Sequence, residues 1–154
     1  MYISFNELPD TSRIWIYQCN RFLNEAEGKL LTSKTIDFIE NWTAHNNLLQ
    51  ASFNWVDNLF LVIAVNQQVN DASGCSIDKS VHFVQQLEQA FNVHFFDRMQ
   101  VAIKTDNEIK LMPLHLLSNA PENAKMYDNL IETVGAFKNE WLKPVAQSWA
   151  KQFV

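Results

Sequence analysis

The sequence predicts an α+β fold with a two-layer, ferredoxin-like β-α-β-β-α-β core, and three observations indicate it. Predicted strands and helices follow one another in that order along the chain. The first and third predicted strands are apolar on both faces, as the two central strands of this topology should be. Two Asp-Asn pairs each lie between adjacent strands, where they suit tight hairpin turns. We therefore expect a single domain over residues 1–154, with a mainly antiparallel sheet of about five strands.

The first half of the chain predicts a strand, a helix and a hairpin. From Arg13 to Asn20, apolar side chains occupy both alternating faces, which is typical of a central strand. A helix is predicted from Asn24, a good N-cap residue, to Ala44, because apolar residues recur there at three- and four-residue steps. The runs "LLQASFNWV" and "LFLVIAV" flank Asp57-Asn58 and predict the two strands of a hairpin.

The second half predicts a helix from about Ser76 to Asn92 and an extra hairpin, in which "RMQVAIKT" and "EIKLMP" flank Asp106-Asn107. Helical spacing of apolar residues from Met126 to Trp141 predicts a C-terminal helix, and Pro144 predicts the start of a further turn or short helix. A two-layer core leaves one face of the sheet bare. We expect the C-terminal helix to cover it, and a second copy of the chain in a homodimer is the alternative.

Composition and charge exclude several classes of protein. The chain has 47% hydrophobic residues, a net charge of −5 and no long basic run, so we expect no nucleic-acid binding. The N-terminus lacks the pattern of a signal peptide, and the longest apolar run is too short to cross a bilayer, so no membrane insertion is expected. With two cysteines and four scattered histidines, the sequence predicts no disulfide framework, and we expect neither a metal nor a cofactor. We also expect a cytoplasmic location, where thiols stay reduced.

The stretch "DASGCSIDKSVHF" allows a structural and a functional interpretation. In the structural interpretation, Gly74 lies in the turn after the third strand, and Ser76 caps the second helix with Cys75 just outside it. The negative charge of Asp78, in the first turn, is stabilised by the positive end of the helix dipole. Functionally, a helix start can bind an anion or activate a thiol. Cys75 and His82 are seven residues apart, about 10 Å along a helix, which is too far for a direct hydrogen bond. Asp78 and His82 could pair at i and i+4.

The predicted topology brings further residues to this edge of the sheet. His45 is expected to cap the end of the first helix, close to Trp42 and to the start of the second helix. Arg13 is expected at the same edge, at the start of the first strand. The candidate binding residues are therefore Arg13, Trp42, His45, Ser73, Gly74, Cys75, Ser76, Asp78, Lys79 and His82. The same topology sends Cys19 to the opposite edge and excludes a disulfide with Cys75.

Two hypotheses about function follow from this edge. The first is a small-ligand-binding or protein-interaction module whose ligand is a small molecule or an anion. The alternative is an enzyme that uses Trp42, His45, Cys75 and Asp78 in thiol or acid–base chemistry.

Three stretches carry a resemblance to a known family: "FNELPDTSRIWIYQ", "NWTAH" followed by "LQASF", and "SGCSIDKSVHFVQQLEQAF". Taken together they resemble an uncharacterised bacterial family of about this length, whose members are often labelled ABC transporter ATPases. The resemblance implies no established activity, and this chain has Asn46 where the family has a glycine. An ABC ATPase needs G-x-x-x-x-G-K-[ST] to hold phosphates. The two nearest glycines here are 46 positions apart, so we expect no ATP binding of that type.

Overall fold

Three antiparallel sheets and three α-helices make up the structure, a computed structural model that describes residues 1–154. The strands are β1 (Arg13–Gln18), β2 (Thr43–Ala44), β3 (Asn47–Leu48), β4 (Ala51–Val56), β5 (Phe60–Val65), β6 (Gln100–Thr105), β7 (Glu108–Pro113), β8 (Lys125–Tyr127) and β9 (Leu142–Pro144). The α-helices are α1 (Glu25–Glu40), α2 (Gly74–Phe91) and α3 (Val134–Glu140). Short 3-10 segments span Phe5–Glu7, Leu114–Asn119, Val145–Gln147 and Trp149–Phe153. The predicted α+β class with antiparallel sheets is therefore confirmed.

The first sheet has the order β1-β5-β4, and β5 is its central strand. All six residues of β5 are buried, as expected of a strand that is apolar on both faces. The turn between β4 and β5 is the predicted one, because Asp57 and Asn58 have φ values of 55° and 56°. Asn24 caps α1 as predicted: its side chain accepts the Glu27 N–H over 2.8 Å, and the Glu27 carboxylate accepts the Asn24 N–H over 3.0 Å.

The four-strand ferredoxin-like order is not observed, because β6 joins a separate sheet of order β7-β6-β8-β9. The prediction that β1 is central is therefore wrong: β1 lies at the edge of a three-stranded sheet, and one sheet of about five strands is replaced by sheets of three, two and four strands. The physical reason is that β6 has a core of its own. Its Val101 and Ile103 pack with Met126 of β8, which is the residue opposite Ile103 in the ladder.

Aromatic and polar side chains link the two large sheets, and the ring of Phe60 of β5 lies 4.7 Å from that of Tyr127 of β8. Gln18 of β1 donates from Nε2 to the carbonyl of Gln100 over 3.4 Å and accepts from Asn129 Nδ2 over 3.0 Å. Asn129 Oδ1 in turn accepts the Trp141 indole N–H over 2.9 Å. The segment before α3 pairs with the outer edge of β1, through a bridge between Arg13 and Thr133 and a hydrogen bond from the Ile14 N–H to the Glu132 carbonyl over 2.9 Å. It lies at the edge where the predicted topology would have placed β6.

Alternate side chains of the first sheet belong to two cores. Tyr17, Leu61 and Ile63 belong to the larger core, which also contains buried residues of α1 and α2. Ile14 and Val62 point to the other side, as the twofold periodicity of strands requires. Helices α1 and α2 therefore cover only one face of the sheet.

The second face is covered partly as predicted. Val134 of α3 packs there with Leu8 of the N-terminal segment, and the ring of Phe137 of α3 lies 5.6 Å from that of Phe5. The predicted helix from Met126 to Trp141 is too long, however. Residues 125–127 form β8, and α3 begins only after its N-cap Thr133.

Pro144 ends β9 and is also the N-cap of the 3-10 segment Val145–Gln147, which a second 3-10 segment, Trp149–Phe153, follows. The predicted turn or short helix after Pro144 is therefore confirmed. None of the helices combines the length and apolar character that a bilayer span requires.

Candidate functional site

Trp42 and Ser76 are in direct contact, which confirms that the end of the first helix meets the start of the second. Helix α1 ends at Glu40 rather than at Ala44, and Trp42 follows it with only 2% of its surface exposed. Its indole Nε1 donates to the backbone carbonyl of Ser76 over 2.8 Å. The rings of Phe38 and Trp15 lie 5.2 Å and 6.3 Å from it. Trp42 and Ser76 are thus buried parts of the helix contact and offer no surface to a ligand.

The start of α2 differs from its prediction by three residues. Ser73, not Ser76, is the N-cap: its Oγ accepts the N–H of Ser76 over 3.1 Å. The buried Ser76 hydroxyl donates back to the Ser73 carbonyl over 2.8 Å. Gly74 begins the helix and needs no positive φ, so Cys75 lies inside the first turn rather than before it. The reason is that Ser73 is extended and has a hydroxyl in reach of an unpaired amide, which suffices for a cap.

His45 is not a helix cap, because the chain turns sharply after Trp42. His45 and Asn46, with φ values of 50° and 65°, form the turn of the two-residue hairpin between β2 and β3. Asparagine is one of the few residues other than glycine that adopt this left-handed conformation readily. Both side chains are exposed at the tip of the hairpin. His45 has no hydrogen bond to any residue of α2.

Arg13 lies at the start of β1, as predicted, and is half-buried. Its guanidinium stands over the ring of Trp15 at 4.8 Å from the centroid, a cation–π contact. Trp15 in turn contacts Trp42 edge-on, with the two ring planes inclined at 67°, so Arg13 is linked to the predicted edge through these two indoles. This contact accounts for Arg13 without a ligand.

Cys75 is a free, exposed thiol, and Cys19 is a free, buried one. Burial raises the pKa of the Cys19 thiol, because an apolar surrounding disfavours the thiolate. Cys75 has no hydrogen bond to an imidazole or a carboxylate, and no ion pair joins Asp78 to His82. The exposed side chains of α2 therefore do not form a thiol–base pair.

Three of the predicted residues, Asp78, Lys79 and His82, do share a surface feature. They line a groove of about 420 Å³ between α1 and α2, here called the helix groove, together with Phe38, Phe83 and Gln86. Phe38 and Phe83 lie parallel, with centroids 4.4 Å apart and planes 6° apart. The groove is broad and shallow, with aromatic rings beneath and polar side chains of α2 along one side.

Sequence reasoning missed the aromatic part of the helix groove. Phe38 has the spacing of the buried stripe of α1, and the sequence does not distinguish Phe83 from the other apolar residues of α2. An aromatic residue on a helix stripe has the same spacing whether it is fully covered or lines a groove at the meeting of two helices. Nothing in the sequence indicates Gln86 as a residue of a binding site, since polar residues are common on exposed helix faces. No group of three or more His, Cys, Asp or Glu side chains could hold a metal ion.

Comparisons with models of protein families, with curated proteins and with solved structures found no match. The fold and groove thus define an α+β domain with antiparallel sheets and an aromatic groove between its two long helices. The resemblance to an uncharacterised bacterial family stays a prediction.

Proposed function

We propose that this chain is a binding module that takes a small acid with a flat apolar part into the helix groove. The observation that carries the proposal is the parallel Phe38–Phe83 pair in a groove that Lys79 also lines. Proposed membership of the bacterial family is compatible with this function but adds no evidence for it, because the resemblance implies no activity.

The aromatic pair supports the apolar half of the ligand. Two stacked rings present flat apolar surface, and a third ring adds favourably to such a pair in an offset or edge-on position. The volume of about 420 Å³ lies within the roughly 300–1,000 Å³ of small-molecule sites. A ligand of one ring and a short side chain therefore matches the space.

The polar side supports the acidic half. Lys79 supplies up to three N–H donors and a positive charge, and the Gln86 amide supplies two more donors. Neither side chain has a hydrogen-bond partner or an ion pair within the protein, so both are available to a carboxylate. Asp78 lies on the same side of the groove. Its negative charge would repel an acid whose carboxylate lay beside Asp78 instead of Lys79, and this repulsion favours one orientation of the ligand.

The alternative hypothesis, an enzyme built on Cys75, has less support. A nucleophilic thiol needs a neighbouring base or cation. Cys75 has neither in hydrogen-bonding contact, Trp42 is buried, and His45 lies on a separate hairpin.

The experiment is a ¹H–¹⁵N NMR titration with two matched probes, 3-phenylpropionate and the neutral 3-phenylpropanamide. The acid should cause saturable shifts of the amides of Lys79, His82, Phe83 and Gln86, and the amide should bind more weakly. Lys79→Gln should weaken binding of the acid about fivefold and leave the amide probe unaffected, as expected for one exposed charged contact.

Lys110→Gln is the matched control, because Lys110 is an exposed lysine of β7 in the other sheet. It should leave both affinities unchanged. The proposal fails if neither probe causes saturable shifts in the tens of millimolar, or if Lys79→Gln and Lys110→Gln bind the acid equally well.

A further inference from the structure

A second groove lies on the opposite end of α1 and shares no residue with the helix groove. It has a volume of about 530 Å³ and is here called the hairpin groove. One side is a stripe along the first turns of α1, and the other is the end of the β4–β5 hairpin. The lining residues are Glu25, Gly28, Lys29 and Thr32 of α1, with Trp55 and Asn58 of the hairpin.

Trp55 supplies the one aromatic wall of the hairpin groove, and Gly28 explains its position. A Cβ on Gly28 would lie only 3.1 Å from the indole Nε1 of Trp55, so the absent side chain lets the indole lie against the helix. That nitrogen is inaccessible to solvent and has no hydrogen-bond partner. Trp55 as a whole is only half-buried and lines the groove. A ligand would therefore meet the ring and not its N–H.

The polar side chains of the hairpin groove carry no net charge. Glu25 and Lys29 form an i,i+4 ion pair of 3.3 Å and are 86% and 77% exposed. Thr32 and Asn58 are neutral, and neither side chain makes a hydrogen bond within the protein. Asn58 is held in place by its left-handed backbone in the hairpin turn. The groove thus combines one aromatic surface with free, neutral donors and acceptors.

We propose that the hairpin groove binds a neutral saccharide. A pyranose ring has one face made of C–H groups, which suits the indole surface, and a rim of hydroxyls that both donate and accept hydrogen bonds. The Thr32 hydroxyl and Asn58 amide have the same dual capacity, and the exposed ends of Glu25 and Lys29 can accept from and donate to further hydroxyls. A charged aromatic ligand would meet no unpaired opposite charge in this groove, because Glu25 and Lys29 are paired with each other. The volume fits one or two sugar rings by the range of small-molecule sites.

The test is an NMR titration of the whole chain with maltose and with cellobiose, which differ only in the anomeric linkage. Sorbitol, which has hydroxyls but no ring, is the control ligand. At least one disaccharide should cause saturable shifts of the Trp55 indole N–H and of the Gly28, Thr32 and Asn58 amides, and sorbitol should not.

Two variants separate binding from folding. Asn58→Gly keeps the positive φ and should weaken disaccharide binding about fivefold, the effect of one lost hydrogen bond. The matched control is Asp106→Gly, since Asp106 has a positive φ in the other hairpin and should leave the affinity unchanged. Trp55→Phe keeps an aromatic ring of smaller area and should also weaken binding.

The proposal is overturned if neither disaccharide gives saturable shifts at about 100 mM, or if sorbitol shifts the same residues equally. It is also overturned if Asn58→Gly binds as the unaltered chain does. Should Trp55→Phe fail to fold by circular dichroism, the comparison of Asn58→Gly with Asp106→Gly decides alone. Shifts at the helix groove in the same titration would not count, because the two grooves share no residue.

Discussion

The indole nitrogen of Trp42 donates a hydrogen bond to the backbone carbonyl of Ser76 over 2.8 Å, and both residues are buried. This bond connects the segment after α1 to the first turn of α2, 34 residues further along the chain. Because Nε1 is the only polar atom of the side chain, the bond sets the orientation of the whole indole. The position of Phe38 against Phe83, and so the floor of the helix groove, depends on the same helix contact.

Replacing Trp42 should therefore destabilise the fold. Trp42→Phe removes the hydrogen bond and leaves a cavity, and we expect it to lower the free energy of unfolding by about 2–4 kcal/mol. Trp149→Phe is the control, because Trp149 is 37% exposed and should change stability by about 0.5 kcal/mol or less. Urea unfolding followed by circular dichroism gives both values. Equal effects of the two substitutions would contradict the structural role of Trp42.

The cap of α2 can be tested at Ser73. Ser73→Ala removes the acceptor of the Ser76 N–H and should cost about 1 kcal/mol of stability, whereas Ser73→Asp keeps an acceptor and should cost less. Ser33→Ala, at an exposed position within α1, is the control and should not destabilise the chain. Thermal unfolding of the three variants is the measurement. A harmless Ser73→Ala would mean that another group caps the helix.

The two cysteines should differ in their reaction with iodoacetamide. Cys75 is exposed, while Cys19 is completely buried and burial raises the pKa of its thiol, so the native chain should take up one label, on Cys75. In urea both thiols should react. Peptide mass spectrometry locates the label, and Cys75→Ser supplies a chain that should remain unlabelled until it is unfolded. Rapid native labelling of Cys19 would show that its part of the core opens readily.

Stability at low pH should depend on Glu27. Hydrogen bonds from Arg21 at 2.7 Å and 3.0 Å, with a further bond from the Asn24 N–H, lower the pKa of Glu27 from 4.5 to about 2. Because the folded state lowers this pKa, the stabilisation is complete above about pH 4.5 and is lost as the pH falls towards 2. Between pH 5 and pH 2, the urea midpoint of the unaltered chain should fall further than that of Glu27→Gln.

Glu25→Gln is the control for that experiment, because Glu25 is in the same helical turn and is almost fully exposed. Its urea midpoint should follow that of the unaltered chain over the same pH range. If Glu27→Gln shows the same slope as Glu25→Gln, the pairing with Arg21 does not contribute to stability at neutral pH.

Some features follow from local sequence, because their physical cause lies within a few residues. Asn24 caps α1 with a side chain that reaches only three residues ahead, and Asp57-Asn58 turns the chain because both residues tolerate positive φ. The run of apolar residues in β5 requires cover on both faces wherever the strand lies. Strand and helix type, the first hairpin and the buried central strand could accordingly be predicted.

Other features have no local cause. Met126 has helical spacing to its apolar neighbours, but its partner is Ile103 across the second sheet, and only the packing of that sheet's own core makes it part of a strand. Strand β6 pairs with β7 and β8 instead of β1, and the outer edge of β1 is bridged at Arg13 by Thr133, more than a hundred residues further along the chain.

The candidate sites divide in the same way. The sequence by itself indicated Asp78, Lys79 and His82 as neighbours on one exposed helix, because helical periodicity alone puts such residues on adjoining turns. Only the tertiary structure decided that they meet Phe38 and Phe83, and that Trp42 turns inward to Ser76. Only it brought Trp55 beside Gly28. Such contacts join residues that are distant in the chain, and their geometry depends on how the helices and sheets pack together.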